Sequence, residues 1–302
     1  MEYELLIFGA SGSVGEQCIR VALEKNIPVT GVYRSFEQAD MAPRGTQTVV
    51  LTEMSLETLL PLLQTITETT TVISCLGARN ACDAMLVDGK ANATIVQAIE
   101  ESERNLQRFV LLSGACVETP KIPLQFAKIH SEEVCKTLSR VPYSIIRATC
   151  FYKCFDNMIQ KASQGKRIKI IGTGNYADFY PLSSNDMGKY IVNHVVACNQ
   201  TYDKGSHVFS LGGSTPYTAH SFATKVQEIM AKKDIHCKIS STPVWLWRSI
   251  SWVCKLIKWS KVHSFMDLVY YYNTVPMVPE IMVDETSVES YVHDLLSEEA
   301  SV

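Results

Sequence analysis

Short apolar runs alternate with longer amphipathic runs through the first half of the chain. The apolar runs are rich in β-branched residues and predict strands, whereas apolar positions three and four residues apart predict helices. The predicted strands cover 3–8, 28–33, 46–51, 71–75, 109–113 and 143–147, and the predicted helices cover 13–24, 55–64, 84–103 and 127–139. This alternation is typical of an α/β fold, a doubly wound parallel sheet with helices on both faces.

Beyond residue 150 the alternation loosens. The pattern there predicts strands at 167–171 and 207–211, helices at 185–197 and 218–231, and a tryptophan-rich helix from about 244. We find no repeat, low-complexity tract or flexible linker in the chain. The second half is therefore expected to form a smaller, mixed α/β region attached to the parallel sheet.

A glycine-rich turn joins the first predicted strand to the first predicted helix. Its glycines recur every three residues, directly after the apolar run 5–8. In this context the first glycine permits a tight turn, the second lets the backbone approach a pyrophosphate, and the third lets helix and strand pack closely. The residues predicted to contact a dinucleotide here are Gly9, Ser11, Gly12, Ser13, Val14 and Gly15. The sheet is therefore predicted to be of the Rossmann type, with phosphates at the helix N-terminus.

These patterns predict two domains. We assign residues 1–150 to a dinucleotide-binding Rossmann domain and 151–302 to a smaller C-terminal substrate-binding region, with 172–212 partly completing the Rossmann part. The 302 residues of the chain are enough for both. In open α/β sheets ligands bind at the carboxyl ends of the strands, so the substrate is expected between the two domains at that edge.

The end of the second predicted strand indicates which dinucleotide binds. Folds selective for NAD commonly place an acid there to bind the ribose 2′-hydroxyl, but this chain has Arg34 and Ser35. A guanidinium can hold a 2′-phosphate through two hydrogen bonds, so NADP(H) is favoured over NAD(H). The turn after the fourth strand lies at the same edge and adds a second arginine. The residues expected to bind the cofactor at this end are Arg34, Ser35, Leu76, Gly77 and Arg79.

Composition and charge narrow the class of protein. A net charge of −3 gives no electrostatic basis for nucleic-acid binding, and no uncharged apolar run is long enough to span a bilayer. The ten cysteines are scattered without a Cys-x-x-Cys motif, which favours reduced thiols in a reducing compartment and no metal site. The first strand begins by residue 3, which leaves no room for a targeting peptide. We expect a cytoplasmic protein, or a plastid protein whose transit peptide has been removed.

The residues expected to carry catalysis depart from those of ordinary short-chain dehydrogenases, which pair a tyrosine with a lysine four residues later. Lys128 fits the lysine position, but Leu124 precedes it by four residues and cannot transfer a proton. Reduction of a simple carbonyl is therefore not expected. Lys128 can hold the nicotinamide ribose or be a surface lysine, and Ser113 at the end of the fifth strand can orient substrate or cap the following turn.

Four segments, 72–79, 108–117, 125–128 and 143–152, resemble the NADPH-dependent divinyl chlorophyllide 8-vinyl reductases, and the run 270–277 resembles the tail of that family. This family belongs to the atypical short-chain dehydrogenases, with the NmrA-like and isoflavone-reductase-like proteins, and also lacks the tyrosine. The resemblance implies NADPH as cofactor, a divinyl tetrapyrrole as hydrophobic substrate, and nicotinamide contacts at Thr149, Cys150 and Phe151. Ala148 stands where the family usually has proline.

Such a reaction needs little help from an acid. A hydride adds to an alkene conjugated with a large π-system, the macrocycle delocalises the charge, and a proton follows from water or a nearby donor. His130 and Tyr152 are candidate donors, although each residue type more often serves the surface or packing. The candidate catalytic residues are Lys128, Ser113 and His130. Phe151 and Phe155 can wall a flat ligand or pack in the core.

All four tryptophans lie between Trp245 and Trp259. Trp245, Trp252 and Trp259 are seven residues apart, so a continuous helix would place them on one face with Leu256. The flank and far side carry the basic residues Arg248, Lys255 and Lys258. Two interpretations stand: the helix packs within the smaller region, or the segment 244–261 contacts a membrane surface or a flat hydrophobic ligand such as a chlorin.

Three functions are compatible with these observations. The first is the NADPH-dependent reduction of a conjugated carbon–carbon double bond that the resemblance implies. The second is an NADP(H)-binding sensor or assembly factor without turnover, as NmrA-like proteins are. The third is the reduction of quinones or small enones, which needs only hydride delivery to a polarised acceptor. The missing tyrosine is compatible with all three.

Overall fold

The computed structural model describes residues 4–78, 80–196, 205–283 and 286–300. The first half contains the strands β1 Glu4–Phe8, β2 Val29–Tyr33, β3 Gln47–Val50, β4 Thr70–Ser74, β5 Arg108–Gly114 and β6 Tyr143–Ala148. Its helices are α1 Ser13–Glu24, α2 Phe36–Asp40, α3 Leu56–Gln64, α4 Asn92–Glu101 and α5 Pro123–Cys135. A short 3-10 turn at Ala81–Asp83 and a π-helical segment at Met85–Ala91 precede α4.

The second half contains further strands. They are β7 Cys150–Phe151, β8 Ile168–Ile171, β9 Pro181–Leu182, β10 His207–Gly213, β11 Ile239–Thr242 and β12 Ile281–Val283. Its helices are α6 Asp156–Ser163, α7 Ser184–Tyr190, α8 Ala219–Ala231, α9 Val244–Leu256, α10 Ser260–Thr274 and α11 Val288–Ala300. A 3-10 turn occupies Tyr152–Phe155, and a π-helical segment at Ile191–Val196 follows α7.

The main sheet has eight strands in the spatial order β12-β10-β6-β5-β4-β1-β2-β3. β1 pairs in parallel with both β2 and β4, and the pairs β2–β3 and β4–β5 are also parallel. From β1 the chain first adds β2 and β3 on one side of the sheet. It then crosses back to add β4, β5 and β6 on the other side of β1. Ligands bind at such a switch point, where the turns after β1 and β4 meet. The predicted Rossmann-type α/β fold class is confirmed.

The core of this sheet consists of strands that are buried on both faces, as is typical of parallel sheets. Phe8 in β1 and Phe109 in β5 are fully buried, and they belong to one hydrophobic cluster with apolar side chains of α3 and α4. The strands are apolar because helices cover both sides, which is why short β-branched runs predicted them well.

The described residues form two compact units. The first comprises Met1–Arg147 and Met187–Phe209, and the second comprises Ala148–Asp186 and Ser210–Val302. In the second unit β8 pairs in parallel with β11, and β7 with β9. Its interior contains a cluster of aromatic rings, with Phe155 and Phe222 at a centroid distance of 4.4 Å.

Several predicted helix boundaries were wrong. The helix predicted at 84–103 contains the π-helical segment Met85–Ala91 and ends at Glu101, and the helix predicted at 127–139 begins at Pro123, a residue that suits the first helical position. The tryptophan-rich helix is not continuous. Lys258 adopts the left-handed conformation with φ +57°, and the Trp259 N–H donates to the Cys254 carbonyl, so α9 ends there and α10 begins.

Candidate functional site

The glycine turn after β1 is shaped by close backbone contacts. Gly9 has φ +76°, and a Cβ on it would lie 2.7 Å from the carbonyl oxygen of Cys75. A Cβ on Gly15 would overlap the carbonyl oxygen of Gly9. The Gly12 N–H donates to that same Gly9 oxygen at 2.9 Å. The turn therefore requires glycine at both ends and brings the start of α1 against the end of β1.

The N-terminus of α1 is suited to an anion. Gly12 is the N-cap residue, and no side chain of the described chain caps the first turn. Ser11 and Gly12 are exposed, Ser13 is half-buried, and Val14 and Gly15 are buried beneath them. The one acidic residue of this turn, Glu16, is held along the helix by Arg20 at 2.6 Å. Free N–H groups at the positive end of a helix dipole fit the pyrophosphate of a dinucleotide.

Two thiols lie near the glycine turn. Cys18 of α1 is fully buried, and Cys75 directly follows β4. A hydrogen bond with the Cys75 side chain and burial both raise the pKa of Cys18. The thiol therefore stays neutral and adds no negative charge to the phosphate site. None of the nine described cysteines forms a disulfide; Cys198 lies outside the described residues.

The end of β2 provides the predicted 2′-phosphate site. Arg34 is exposed, and among the described residues no carboxylate pairs with its guanidinium. Ser35 is the N-cap of α2 and accepts a hydrogen bond from the Gln38 N–H at 3.3 Å. A free guanidinium beside a capped helix start can bind a phosphate monoester.

Gln38 is a site residue that sequence reasoning missed. Its Oε1 accepts from the Ser11 hydroxyl and from the Arg34 backbone N–H, each at 3.4 Å. Gln38 therefore links the glycine turn to the end of β2. The spacing Ser35-x-x-Gln38, a capping-box pattern, could have identified it. In a capping box the Gln38 side chain would accept from the Ser35 N–H; here it accepts from Ser11 and from the Arg34 N–H instead.

The turn after β4 is joined to the helix that follows it. Leu76 is half-buried and Gly77 is exposed, and the Ala78 N–H donates to Asp88 Oδ2 at 2.8 Å. Arg79, a predicted cofactor contact, lies outside the described residues. The carboxylate of Asp88 therefore fixes the backbone on which the predicted contacts Leu76 and Gly77 are placed.

A chain of buried polar groups connects β4 to the predicted ribose-binding lysine. The Ser74 hydroxyl donates to Asn92 Oδ1 at 2.5 Å, and Asn92 Nδ2 donates to the Asp88 carbonyl at 2.8 Å. Lys128 Nζ lies 2.9 Å from Asp88 Oδ1, and the two side chains are 15% and 1% exposed, respectively. Lys128 Nζ also donates to the Leu112 carbonyl at 3.4 Å. Lys128 is therefore a positioned ammonium and not a surface lysine.

Sequence reasoning missed Asp88 and Asn92 because it predicted a regular helix. The π-helical segment Met85–Ala91 shifts the helical register before α4. Such segments are rare and frequently occur at functional sites. Two polar residues four apart on the helix face that carries Ile95 and Ile99 were the available indication, since that spacing places both on one face.

The other predicted catalytic residues have different surroundings. Ser113 is buried and donates to Glu132 Oε1 at 2.6 Å. Glu132 is fully buried and pairs with Arg147 Nη2 at 2.7 Å, and Arg147 also forms an ion pair with Glu118. His130 lies exposed on α5. The Ser113 hydroxyl is thus used in an internal ionic cluster, while His130 faces solvent.

The predicted nicotinamide contacts lie at the start of the second unit. Thr149 is buried, its N–H donates to the Leu211 carbonyl at 3.0 Å, and its hydroxyl donates to the Tyr180 carbonyl at 2.6 Å. Cys150 and Phe151 form the half-buried strand β7. Burial, and then the neighbouring Cys154, raise the pKa of Cys150. Both polar groups of Thr149 are therefore engaged in the framework of this unit.

Two aromatic candidates serve packing. The Tyr152 hydroxyl donates to the Thr286 carbonyl at 3.4 Å, and its ring stacks on Tyr291 at a centroid distance of 5.1 Å. Phe155 stacks on Phe179 at 5.2 Å. The contacts of Phe155 are those of a core-packing residue. The Tyr152 hydroxyl donates to a backbone carbonyl.

The described residues contain neither a metal-binding cluster nor a membrane-spanning helix. No group of three or more metal-ligating side chains occurs among the described residues. Within the same residues, none of the helices has both the length and the hydropathy needed to traverse a bilayer.

Comparison with known proteins adds the family. Residues 9–169 match a family model described as NAD(P)H-binding. The chain is 27% identical over 225 residues to the chloroplastic divinyl chlorophyllide a 8-vinyl-reductase of Cucumis sativus, covering 69% of this chain and 52% of that protein. The Zea mays protein of the same name is 28% identical, covering 70% and 55%. The chain thus spans about half the length of these relatives.

Another relative matches over a longer stretch. The photosystem II assembly factor Ycf39 of Trieres chinensis is 23% identical over 263 residues, which cover 85% of this chain and 77% of that protein. The resemblance to the 8-vinyl reductases and their wider group is thus confirmed at the level of homology.

Solved structures show the same fold. The triphenylmethane reductase of Citrobacter sp. complexed with NADP(H) superposes with a TM-score of 0.71 at 14% identity, covering 97% of this chain and 100% of that one. An isoflavone reductase gives a TM-score of 0.70 at 15% identity, covering 97% and 99%. At such identities the likeness establishes the fold alone.

Proposed function

The chain belongs to the NAD(P)H-binding family, and on that premise we propose that it is an NADPH-dependent reductase of a conjugated carbon–carbon double bond. The proposed substrate is a hydrophobic divinyl tetrapyrrole of the (proto)chlorophyllide class. The observation that carries the proposal is the ion pair of the buried Asp88 carboxylate with Lys128, together with Leu124 in the place of a proton-donating tyrosine. The candidate site thus combines a positioned ammonium with a side chain at position 124 that cannot donate a proton.

The residues present fit the cofactor. The uncapped start of α1 would hold the pyrophosphate, and Arg34 with Gln38 would hold the adenosine ribose and its 2′-phosphate. When bound, NADPH supplies a hydride to an electron-poor acceptor. NADPH is preferred to NADH in this proposal because an arginine, in place of a carboxylate, directly follows β2.

Lys128 acts through its hydrogen-bond donors. An ammonium group has three N–H donors; Lys128 donates to the Leu112 carbonyl and forms an ion pair with Asp88. The remaining donor and the partly exposed side chain can bind the hydroxyls of the nicotinamide ribose. Asp88 also fixes the Ala78 backbone. A single carboxylate thereby orients both the lysine and the turn after β4.

Because position 124 has no phenol, the proposed hydride acceptor is a conjugated alkene and not a carbonyl group. Reduction of a carbonyl produces an alkoxide and needs a positioned acid, which Leu124 cannot provide. An alkene conjugated with a macrocycle spreads the negative charge over many atoms, so water can supply the proton. One alkene carbon gains the hydride and its neighbour gains the proton. The protein contributes orientation and exclusion of bulk water.

The test is NADPH oxidation with divinyl protochlorophyllide, followed by absorbance at 340 nm and by chromatography of the reduced tetrapyrrole. Lys128→Met should lower kcat/KM by at least about 100-fold, because it removes the ribose contact. The matched control is Lys136→Met, which changes a lysine of the same helical region that pairs with Glu133 at the surface. Failure to oxidise NADPH with this substrate would contradict the proposal.

Cofactor choice has its own test. Arg34→Gln should reduce the preference for NADPH over NADH by at least about tenfold, because the 2′-phosphate loses a charged partner. Arg167→Gln, at an exposed arginine of the second unit, is the matched control. An unchanged ratio of the two dissociation constants in the Arg34 variant would place the 2′-phosphate elsewhere.

A second candidate function is an NADP(H)-binding assembly factor that does not turn over. The length of the Ycf39 match favours it, since this relative is covered over 77% of its length. Tight NADPH binding, measured by cofactor fluorescence, without oxidation by tetrapyrroles or simple quinones would identify this function. Oxidation by quinones alone would indicate a quinone or enone reductase.

A plastid location is part of the same proposal. The plant relatives are named as chloroplastic proteins, and the proposed substrate is a chlorophyll precursor. Cell fractionation with an antibody against the chain tests it. Recovery in the cytoplasmic fraction without plastid material would contradict this assignment.

A further inference from the structure

The helix pair α9–α10 buries one side of α9 and leaves the other in water. The Trp247 Nε1–H donates to the Met266 carbonyl at 3.1 Å, and the Ser251 hydroxyl donates to Asp267 Oδ1 at 2.8 Å. Ser251 and Cys254 are buried. Because these residues recur at helical spacing, they define the side of α9 that faces α10, and the opposite side faces outward.

The outward side of α9 is apolar. Trp245 is 69% exposed, Trp252 61% and Leu256 59%, and helical periodicity places them opposite the buried residues. The exposed aromatic residues continue past the end of α9, with Trp259 and Phe265 each 58% exposed. We call these five residues the indole surface. Large contiguous apolar patches on a folded protein mark interaction sites.

The segment that carries the indole surface is basic. Residues 235–266 contain five lysines and arginines and no aspartate or glutamate, whereas the rest of the chain has 23 basic and 31 acidic residues. Arg248 and Lys255 lie on the flank of α9, between its outward and buried sides. A basic, indole-rich segment therefore sits in an otherwise acidic chain.

We propose that the indole surface docks on the surface of an anionic lipid bilayer. Indole rings favour the boundary between headgroups and acyl chains, where one edge is apolar and the other wet. Long basic side chains on the flank can extend to lipid phosphates while their stems cover apolar surface. The 13-residue α9 would lie along the interface, with its outward side among the headgroups.

The charge of the segment favours an anionic bilayer over a second copy of the chain as the partner of the indole surface. A symmetric dimer through the indole surface would bring two identical segments together, each with five basic and no acidic residues. Like charges in such a contact repel, whereas an anionic bilayer complements them. The inference is independent of the proposed reaction, because it uses residues of α9 and α10 alone.

Vesicle binding tests the proposal directly. The full chain is mixed with vesicles of phosphatidylcholine containing about 30% phosphatidylglycerol, and with vesicles of phosphatidylcholine alone, and binding is measured by co-flotation. All four tryptophans lie in 245–259, so intrinsic fluorescence reports on this segment without a label. We expect binding to the anionic vesicles, a blue shift of the emission, and weakening as salt increases.

The aromatic contribution is tested with Trp245→Ser combined with Trp252→Ser. This variant should lower the vesicle partition coefficient by at least about tenfold, because it removes the largest exposed apolar side chains of α9. Leu86→Ser combined with Phe126→Ser, two residues that are 65% and 50% exposed in the first unit, is the matched control. Circular dichroism confirms that each variant is folded.

The charge contribution is tested with Arg248→Glu combined with Lys255→Glu. Each basic residue near an anionic surface contributes roughly a fivefold change in binding, so the variant should bind at least about 25-fold more weakly. Lys166→Glu with Lys169→Glu changes the net charge equally at exposed positions of the second unit and should have little effect.

Three results would overturn the proposal. The first is no binding to anionic vesicles at low salt. The second is equal binding by the tryptophan variant and the wild-type chain. The third is concentration-dependent self-association, seen by light scattering, that the tryptophan variant abolishes while vesicle binding is absent; that result would assign the surface to a second copy.

Discussion

Two buried ionic clusters on α5 differ in how completely their charges are satisfied. Glu132 is fully buried, and its oxygens accept from Ser113 and from Arg147, whose other end pairs with Glu118. Lys128 has one carboxylate, that of Asp88, and keeps 15% of its side chain exposed. We call the first cluster closed, because each of its charged groups has a partner of opposite charge. We call the second open, because the Lys128 ammonium still has an N–H donor for a ligand.

Because of this difference, we expect the Glu132 cluster to serve stability and the Asp88 cluster to serve NADPH binding. In a closed cluster every charge has a partner, and its removal leaves another charge buried and uncompensated. In the open cluster, the partly exposed ammonium can bind an additional ligand without breaking the ion pair that positions it. We therefore expect changes in the Glu132 cluster to lower stability, and changes in the Asp88 cluster to lower NADPH binding more than stability.

The largest effect is expected for Arg147→Met. The change leaves Glu132 buried without its cation, so the free energy of unfolding should fall by about 3–5 kcal/mol, measured by urea denaturation. Arg140→Met is the control, because Arg140 is exposed and lies 4.0 Å from Glu103. A loss below about 1 kcal/mol would show that the cluster is not closed.

Asp88→Asn should weaken NADPH binding more than it lowers stability. The amide can still accept from the Ala78 N–H, but the charge that positions Lys128 is lost, so NADPH should bind about tenfold more weakly. The free energy of unfolding should fall by no more than about 2 kcal/mol, because Lys128 can turn toward solvent. Isothermal titration and urea denaturation measure the two effects. Asp83→Asn, at an exposed aspartate nearby, is the control.

Ser113→Ala separates the two hypotheses for this residue. Loss of one hydrogen bond to a carboxylate that Arg147 still pairs should cost about 1.5 kcal/mol of stability. If the hydroxyl serves only the cluster, kcat with the tetrapyrrole should stay within about twofold. A fall of 100-fold in a stable variant would instead show that Ser113 contacts substrate.

The smallest effect is expected at the surface pair of Lys225 and Glu289, whose atoms approach to 2.5 Å. The hydrogen bond from Lys225 lowers the pKa of Glu289, so the pair stabilises the protein above the ordinary carboxylate pKa and is lost as the pH falls. Glu289→Gln should cost less than about 0.5 kcal/mol at pH 7, because both side chains are solvated. Below the folded-state pKa of Glu289, thermal unfolding of variant and wild type should coincide.

The sequence predicted the part of the fold that depends on local pattern. The strands β1, β2 and β4 are short apolar runs between helices, and burial on both faces makes such runs easy to recognise. The shortest strands were missed: the two-residue β7 and β9 and the three-residue β12 lack enough positions to show a period.

Part of the candidate site was predictable for the same reason. The glycines at 9 and 15 meet neighbouring backbone within a few residues of the chain or one strand away, so spacing alone identified them. Gln38 and Asp88 were missed because their partners come from other elements. The contact of Asp88 with Lys128 joins residues far apart in sequence, and a π-helical register produces it.

The sequence by itself determined the sheet, the glycine turn and the lack of a phenol before Lys128, because short-range sterics and residue chemistry fix each of these. Only the tertiary structure decided the rest. It showed that Asp88 pairs with Lys128 and that Glu132 engages Ser113. It also showed that the tryptophan-rich segment is divided at Lys258 and that three of its four indoles are exposed. These outcomes depend on which elements pack together, and a local pattern does not encode that packing.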